Sequence, residues 1–401
     1  MKFVVVQGQG MADEPIADLG GKTPLEVART PHLDHLAARG ILGLTRTIPR
    51  GVPAGSEVGT LSVLGYDPAH YSASRAPLEA VSLGVELGPE DVAFCLSLVT
   101  VEAVEGGDVM RDHTGGGVST AEGAELAADL QRLLGGEGVE VHPGVRHRHL
   151  VVWRRGESRM RTIAPHALLA KPIAGALPTG PGADVLQALA ARAQGILAEH
   201  PVCRARLERG ERAPTGIWLW GQGRRPSLPT LRERFGVAGA VAAEVDLANG
   251  LGLVVGLARV EPRDPTGVDP DLRTRTAHAL QSLAEREFLF LHVEGPDEAG
   301  HAGDPQRKVE AIERLDADVL GPLLEGLRQS GDDWRLLVMP DHPTPCGLRT
   351  HTDEPVPFIV YVGTDDRKTR TVARRYSERD ARENGIFVPD GHTILGRLLR
   401  R

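Results

Sequence analysis

The chain has 401 residues, of which 41% are hydrophobic and 25% charged, and this supports one large or two ordinary globular domains. Its formal net charge of −8 argues against a general nucleic-acid-binding protein, which usually carries a basic patch. Three scattered cysteines, no secretory signal and no apolar run of roughly 18 residues predict a cytoplasmic protein with no disulfide framework and no membrane contact.

Short apolar or β-branched runs predict the strands of the main domain. In chain order these are Phe3–Val6, Ile217–Trp220, Ala240–Val245, Phe288–Val293, Leu336–Met339 and Pro357–Val362. Helical patterns with apolar residues three and four apart, at Leu272–Glu285 and Arg307–Gln329, lie between the later strands. Strands that are apolar on both faces and alternate with helices indicate an α/β fold with a mostly parallel sheet covered by helices.

The middle of the chain has a different pattern. Its predicted strands are short, at Val139–His142 and Leu150–Trp153. Two helices are predicted there: the first begins at the capping box Ser119–Glu122 and ends near Leu134, and the second spans about Ala183–Glu199. The stretch from Arg154 to Gly182 is rich in Pro, Gly and Ala and is predicted to be a loop. We therefore expect residues 75–205 to form a smaller inserted α+β domain that covers the substrate, and residues 1–74 and 206–401 to form the core.

Polar groups follow the predicted strands of the core. Asp297 and His301 lie four apart after one strand, Asp341 and His342 are adjacent after the next, and His351 precedes the last. Ligands of open α/β sheets gather beyond the carboxyl ends of the strands. Taken singly, each group could cap a helix, form a turn or lie on the surface. Together they predict a site for one or two metal ions, since carboxylates and imidazoles suit Mn²⁺, Zn²⁺ or Mg²⁺.

Ser56 follows a Gly/Pro loop at the start of a predicted helix, Glu57–Leu64. Alone it would be interpreted as a helix cap. Beside two metal ions, a serine at a helix N-terminus is a candidate nucleophile for phosphorus.

A family resemblance covers nearly the whole chain. The motifs GMAD, GGKTPLEVA, TPHLDHLA, GSEVGTLSVLGYDP, RAPLEA, WLWGQG, HVEGPDEAGH, PDHPTP and THTDEPVPF occur in this order. The chain resembles the archaeal-type cofactor-independent phosphoglycerate mutases of the alkaline-phosphatase superfamily. The resemblance implies an alkaline-phosphatase-like core, a small phosphorylated metabolite as partner, and interconversion of 3-phosphoglycerate and 2-phosphoglycerate through a phosphoserine, with one or two divalent ions, Mn²⁺ first and Mg²⁺ or Zn²⁺ as alternatives.

The same resemblance implies the role of each motif residue. Ser56 would be the nucleophile. One ion would be held by Asp297, His301 and His351. The second would be held by Ser56, Asp341, His342 and Gln9.

The chain departs from the family pattern at several positions. Gln9 stands where the family has Asp, and an amide brings no charge to a metal. Cys95 stands for an arginine, Ser97 for an asparagine and Ala167 for an acid, and the segment 264–272 also differs. Candidate substrate-binding residues are retained at Arg75, Arg148, His166 and Lys171.

These departures leave three explanations open. The chain is an intact mutase that tolerates Gln9, or a paralogue such as a phosphatase for another small metabolite, or a binding protein with impaired catalysis. The lost charge at Gln9 and the lost arginine at Cys95 favour the last two, whereas the family resemblance favours the first.

Overall fold

The structure is a computed structural model, and it describes residues 1–136, 138–261, 271–363 and 372–400. The described chain divides into two compact units. The first comprises Met1–Ser72 and the described residues from Leu228 onward, and the second comprises Ala73–Ser227. Most of the divergent segment 264–272 lies outside the described residues.

The strands are numbered in chain order. They are β1 (Lys2–Gly8), β2 (Ile41–Thr45), β3 (Val92–Val104), β4 (Gly107–Asp112), β5 (Val139–Val145), β6 (Arg148–Trp153), β7 (Gly216–Gly223), β8 (Gly239–Ala242), β9 (Ala258–Arg259), β10 (Phe288–Val293), β11 (Trp334–Met339), β12 (Val356–Val362) and β13 (Phe387–Val388).

Eight of the described strands form the sheet of the first unit, in the order β13-β2-β12-β11-β1-β10-β8-β9. The neighbours β11, β1, β10, β8 and β9 are parallel, and β12 is antiparallel to both β11 and β2. The central strands are apolar and buried, as in β10, whose six residues are all buried. The predicted α/β class with a mostly parallel sheet is confirmed.

Helices lie between the strands of both units along the chain. The α-helices span Pro24–Val27, Pro31–Arg39, Ser56–Val63, Arg75–Ser82, Thr120–Leu134, Ala183–Glu199, Pro201–Glu208, Leu231–Phe235, Asp246–Val254, Leu272–Ala284, Gly295–Ala302, Pro305–Arg314, Gly321–Gln329, Glu378–Glu383 and Thr393–Leu398. Short 3₁₀ turns occur at Ala17–Leu19, Pro165–Leu168 and Ala174–Ala176. The helix predicted over Arg307–Gln329 contains a π-helical segment, Leu315–Leu320, whose buried Asp316 carboxylate accepts the N–H groups of His32 and Leu33.

The second unit contains a five-stranded sheet among its described residues, ordered β4-β3-β6-β5 with β7 also paired to β3. The predicted strands Val139–His142 and Leu150–Trp153 lie within β5 and β6. The expectation that the strands of this region are all short is wrong, because β3 has 13 residues, the first nine of them buried. The capping box is confirmed: the Ser119 side chain accepts from the Glu122 N–H, and the Glu122 carboxylate accepts from the Ser119 N–H. The sequence placed β7 in the core domain, whereas its pairing with β3 assigns it to the second unit.

Each unit has its own apolar interior. In the first, side chains of β1, β10 and β11 pack with the helices that flank them. In the second, apolar side chains of β3 pack with those of Thr120–Leu134 and Ala183–Glu199. Among the described residues, no helix is long and apolar enough to cross a membrane.

Candidate active site and metal centre

Three parallel strands end together at one edge of the first sheet. Strand β1 lies between β10 and β11, and its Gln7 is in register with His292 on one side and with Met339 on the other. The chain leaves all three strands at the same edge, so the turns after them meet. The segments that follow these strands carry the predicted site residues Gln9, Asp297 and Asp341, with Asp297 in the first turn of the helix Gly295–Ala302.

A glycine allows two of these turns to approach each other. Gly10 has a positive φ of 60°, which favours glycine, and its N–H donates to Asp341 Oδ1 at 3.1 Å. A Cβ at Gly10 would overlap the side chains of Asp297 and Thr344. The backbone at this position therefore fixes the spacing between the carboxylates that follow β10 and β11.

Ser56 reaches the same edge from another direction. It is the first residue of the helix Ser56–Val63, and it is buried with 3% of its surface exposed. Gly59, one turn along, lies against the backbone carbonyl of Asp341, where a Cβ would be only 2.5 Å from that oxygen. The glycine thus lets the helix pack directly on the turn that carries Asp341 and His342.

Three predicted ligands form a compact group, called here the three-ligand cluster: Asp297, His301 and His351. One ligand atom from each lies within 4.8 Å of the others. Asp297 Oδ2 lies 3.3 Å from His301 Nε2, and Asp297 Oδ1 lies 3.5 Å from His351 Nε2. The two Nε2 atoms are 2.9 Å apart. Donor atoms that converge in this way suit a single divalent cation.

Hydrogen bonds outside the cluster orient its ligands. His301 Nδ1 lies 3.1 Å from the Arg349 carbonyl oxygen, which fixes its ring with Nε2 facing the cluster. The Thr344 hydroxyl donates to Asp297 Oδ1. These contacts leave Asp297 and His301 little freedom to turn away from a bound ion.

The remaining predicted ligands lie around Ser56. Ser56 Oγ is 3.2 Å from His342 Nε2, and His342 Nε2 is 3.1 Å from Asp341 Oδ2. The His342 ring lies against the His351 ring with centroids 3.9 Å apart, so the serine group and the three-ligand cluster are contiguous. Ser56 is therefore a hydroxyl next to a group of candidate metal ligands.

Gln9 also contacts Ser56, but through its nitrogen. Its Nε2 donates to Ser56 Oγ at 3.1 Å, and its Oε1 forms a short hydrogen bond with His292 Nε2. His292 is the fifth residue of β10 and is fully buried. The sequence analysis missed His292, although a histidine within the apolar run FLFLHV indicates a buried polar group that needs a partner.

Burial and nearby charges set the protonation of the cluster. Although burial opposes ionisation, hydrogen bonds with His301 and His351 hold the pKa of Asp297 well below its usual range. Burial, aided by the nearby His342, lowers the pKa of His351 to about 4. Burial also disfavours a charge on His301, but Asp297 raises its pKa. An ionised Asp297 and a neutral His351 are the forms that bind a metal.

A buried ion pair supports the turns beneath the site. Lys308 Nζ donates to Asp13 Oδ2 at 2.8 Å and to the backbone carbonyls of Ala12 and Thr344, at 3.0 and 2.8 Å. Asp13 thus has a structural partner and does not replace the carboxylate missing at Gln9. Lys308 was missed because it lies in an otherwise ordinary helical pattern.

The four predicted substrate-binding residues lie in the second unit. Arg75 pairs with Glu79 at 2.7 Å, and its guanidinium lies 5.3 Å from the centroid of the Trp220 ring. The His166 ring contacts the same tryptophan edge-on, with centroids 5.5 Å apart. Arg148 is in register with Ser97 on the neighbouring strand.

The fourth candidate, Lys171, is exposed and donates to the Ala167 carbonyl oxygen at 2.8 Å. Cys95 is buried, and its thiol lies 3.5 Å from Glu79 Oε2. Burial, together with the Glu79 charge, raises the pKa of this thiol well above its usual value. Cys95 is therefore a neutral partner of Glu79 and supplies no positive charge for a substrate.

Comparisons with known proteins identify the family. A relative from Geobacter sulfurreducens, named a probable 2,3-bisphosphoglycerate-independent phosphoglycerate mutase, is 44% identical over 402 residues and covers 100% of both chains. The chain belongs to this family. A second member, from Methanothrix thermoacetophila, is also 44% identical over the full length of both chains. The sequence model of 2,3-bisphosphoglycerate-independent phosphoglycerate mutase matches residues 37–203.

Solved structures agree with the fold of the family. A Pyrococcus horikoshii protein matches with a TM-score of 0.77 and 28% identity, covering 99% of this chain and 96% of its own. A cofactor-independent phosphoglycerate mutase from Thermoplasma acidophilum matches with a TM-score of 0.59 and 24% identity, covering 100% and 99%. The second match supports the fold alone, because its identity is low.

Membership of the family implies dependence on a divalent metal, and the three-ligand cluster fits such an ion. It offers one carboxylate and two imidazoles, and each ligand is held by the fold. The group around Ser56 fits less well, because Gln9 presents its amide nitrogen to the serine and a nitrogen that carries two hydrogens does not ligate a cation.

Proposed function

We propose that this chain interconverts 3-phosphoglycerate and 2-phosphoglycerate through a phosphoserine at Ser56. The single observation that supports this most strongly is the full-length similarity to named phosphoglycerate mutases. The buried hydroxyl of Ser56, 3.2 Å from His342 and contiguous with the three-ligand cluster, supports the choice of nucleophile.

The reaction is a transfer in two halves. Ser56 Oγ attacks the phosphorus of 3-phosphoglycerate, the bond from phosphorus to the C3 oxygen breaks, and the glycerate stays bound. The glycerate then turns so that its C2 hydroxyl attacks the phosphoserine, and Ser56 is released. Such a transfer depends mainly on positioning and on stabilising negative charge.

A divalent metal, when bound, would supply positive charge for phosphoryl transfer. Asp297, His301 and His351 would hold it, and His342 contacts both Ser56 and the His351 ring. We propose Mn²⁺ as the natural ion, with Mg²⁺ and Zn²⁺ as alternatives, because mixed carboxylate and imidazole ligands suit these ions.

We also propose that Arg75, Arg148, His166 and Lys171 bind the substrate and that the second unit is the substrate-covering domain. Three of these side chains are cationic, which suits a phosphate and a carboxylate. A small phosphorylated metabolite as partner and a cytoplasmic location belong to the same proposal.

The test is an enolase-coupled assay of 3-phosphoglycerate conversion with added Mn²⁺. The wild type should turn over, and Ser56→Ala should lose turnover while keeping its fold and its bound ion. Ser62→Ala, in the same helix, is the matched control and should retain activity. A phosphoserine that persists in Ser56→Ala would refute the choice of nucleophile.

The same assay separates the mutase from a phosphatase. Release of inorganic phosphate without 2-phosphoglycerate would show that water accepts the phosphoryl group instead of the glycerate. The full-length similarity to phosphoglycerate mutases favours the mutase over this alternative and over a binding protein without turnover.

A further inference from the structure

The side chain of Gln9 is held at both of its ends. Its carbonyl oxygen Oε1 is engaged by His292 Nε2, and its amide nitrogen Nε2 donates to Ser56 Oγ at 3.1 Å. Gln9 itself is buried, with 3% of its surface exposed. The only atom of this side chain that could bind a cation is therefore occupied, and the atom next to the serine is a hydrogen-bond donor.

His292 is placed rigidly enough to determine this orientation. It lies in β10 and is in register with Gln7 of β1. Gln7 precedes Gln9 by two residues in the chain. It is fully buried, and among the described residues its other nitrogen, Nδ1, has no hydrogen-bond partner. The tautomer with its proton on Nε2 donates to Gln9 Oε1, whereas a proton on Nδ1 would be a buried N–H without a partner. The Nε2–H tautomer therefore holds the amide with its oxygen toward His292.

The ligands that remain near Ser56 are few. Asp341 Oδ1 already accepts the N–H of Gly10, and Asp341 Oδ2 lies 3.1 Å from His342 Nε2. Asp341 and His342 offer one carboxylate and one imidazole, and the third group, the Ser56 hydroxyl, accepts the Gln9 amide N–H. The three-ligand cluster offers one carboxylate and two imidazoles, and the number and charge of the ligands govern the affinity for a divalent ion.

We propose that Gln9 is a hydrogen-bond donor to Ser56, held in that orientation by His292, and that this chain therefore binds one divalent ion tightly, at the three-ligand cluster. The predicted number of bound ions follows from the geometry alone. The role of Gln9 in catalysis rests on the proposed phosphoryl transfer through Ser56.

In that reaction the Gln9 amide has a defined task. Its N–H group points at the oxygen that gains negative charge when Ser56 becomes a nucleophile and again when the phosphoserine breaks down. A fixed donor to such an oxygen stabilises the charge without reorganisation. Gln9 thereby stabilises the serine oxygen by hydrogen bonding at a position where the resemblance implies a metal-binding carboxylate.

The experiment counts Mn²⁺ ions on chelator-treated, reloaded protein by mass spectrometry of the metal and by calorimetric titration. The matched variant is Gln9→Glu, which keeps the shape of the side chain and replaces the amide nitrogen by a charged oxygen. We expect one ion per chain in the wild type and two in Gln9→Glu. Asp297→Asn should remove the ion from the wild type, whereas Asp341→Asn should leave it in place.

A further pair of variants tests the cause. In the Gln9→Glu background, Asp341→Asn should remove the second ion only. His292→Leu should release the amide oxygen and allow a second, weaker ion in an otherwise wild-type chain. If His292→Leu stays at one ion with an unchanged melting temperature, the role assigned to His292 is wrong.

Two other results would overturn the proposal. Two tight ions in the wild type would mean that the amide oxygen of Gln9 faces Ser56. One ion in a folded Gln9→Glu variant would mean that Gln9 does not limit binding. Since ions are counted without turnover, a wild type that binds one ion but lacks mutase activity would refute the proposed function alone.

Discussion

Lys308 Nζ lies 2.8 Å from Asp13 Oδ2, and neither side chain has more than 1% of its surface exposed. The same ammonium group also holds the carbonyls of Ala12 and Thr344. These two carbonyls belong to the turns that follow β1 and β11. Lys308 therefore joins the segment that carries Gln9 to the segment that carries Asp341 and His342.

Lys308→Met should destabilise the protein strongly, because Asp13 would be left as a buried charge without its partner. Removal of one member of a buried pair typically costs about 3–5 kcal/mol. The free energy of unfolding in denaturant titrations measures this. Arg307→Met is the matched neighbour: its pair with Glu298 is more than half exposed on both sides, and its loss should cost less than about 1 kcal/mol. Equal effects of the two variants would contradict the assigned role of Lys308.

Gly10→Ala should disrupt the site for two reasons, strain at positive φ and overlap with Asp297 and Thr344. Gly20→Ala measures the strain without the overlap, because Gly20 has a φ of 68° and open space around its Cβ position. We expect Gly20→Ala to cost about 1 kcal/mol and Gly10→Ala to cost clearly more and to weaken Mn²⁺ binding. Thermal unfolding with and without Mn²⁺ measures both quantities. A Gly10→Ala variant that resembles Gly20→Ala would show that the close approach is unimportant.

Mn²⁺ should raise the melting temperature of the wild type, since an ion that binds only the folded state stabilises it by about 2.7 kcal/mol at a concentration one hundred times its Kd. His301→Ala should lose this increase, because it removes one member of the three-ligand cluster. His278→Ala is the control: this histidine pairs with Glu261 at 2.8 Å, away from the cluster, and the increase should remain. A full increase in His301→Ala would place the ion elsewhere.

Thr344→Val keeps the volume of the side chain and removes the hydroxyl that donates to Asp297. Loss of such a supporting hydrogen bond typically weakens metal binding by about 10–100-fold. Calorimetric titration with Mn²⁺ measures the change. Thr100→Val, which removes a buried hydroxyl bonded to Ala213 in the second unit, should leave the affinity for Mn²⁺ unchanged. Unchanged affinity in Thr344→Val would show that Asp297 is oriented without it.

Arg75→Met should raise KM for 3-phosphoglycerate by about tenfold or more if the guanidinium contacts the substrate, since a lost charge-assisted hydrogen bond is worth about 1.5–3 kcal/mol. A purely structural role, through its pair with Glu79, would lower the melting temperature and leave KM unchanged. Arg111→Met, which removes an exposed pair with Glu102 in the same unit, is the control and should change neither.

The α/β class, several of the core strands and the residues of the three-ligand cluster could be predicted from the sequence. Apolar runs such as Phe288–Val293 predict buried strands from their composition alone, and the polar groups that follow them lie where strand ends meet. The pairing of strands that are far apart in the chain could not be predicted in the same way. The 13-residue strand β3 and the assignment of β7 to the second unit depend on partners far apart in the chain, for which local periodicity carries no signal.

The role proposed for Gln9 depends on contacts that form only on folding. The sequence shows an amide where the resemblance implies a carboxylate, and it leaves open which end of that amide faces Ser56. The answer depends on His292, 283 residues away in the chain, which β10 places beside β1 through parallel pairing. A side chain with a donor at one end and an acceptor at the other takes its function from its neighbours, and those neighbours exist only in the folded protein.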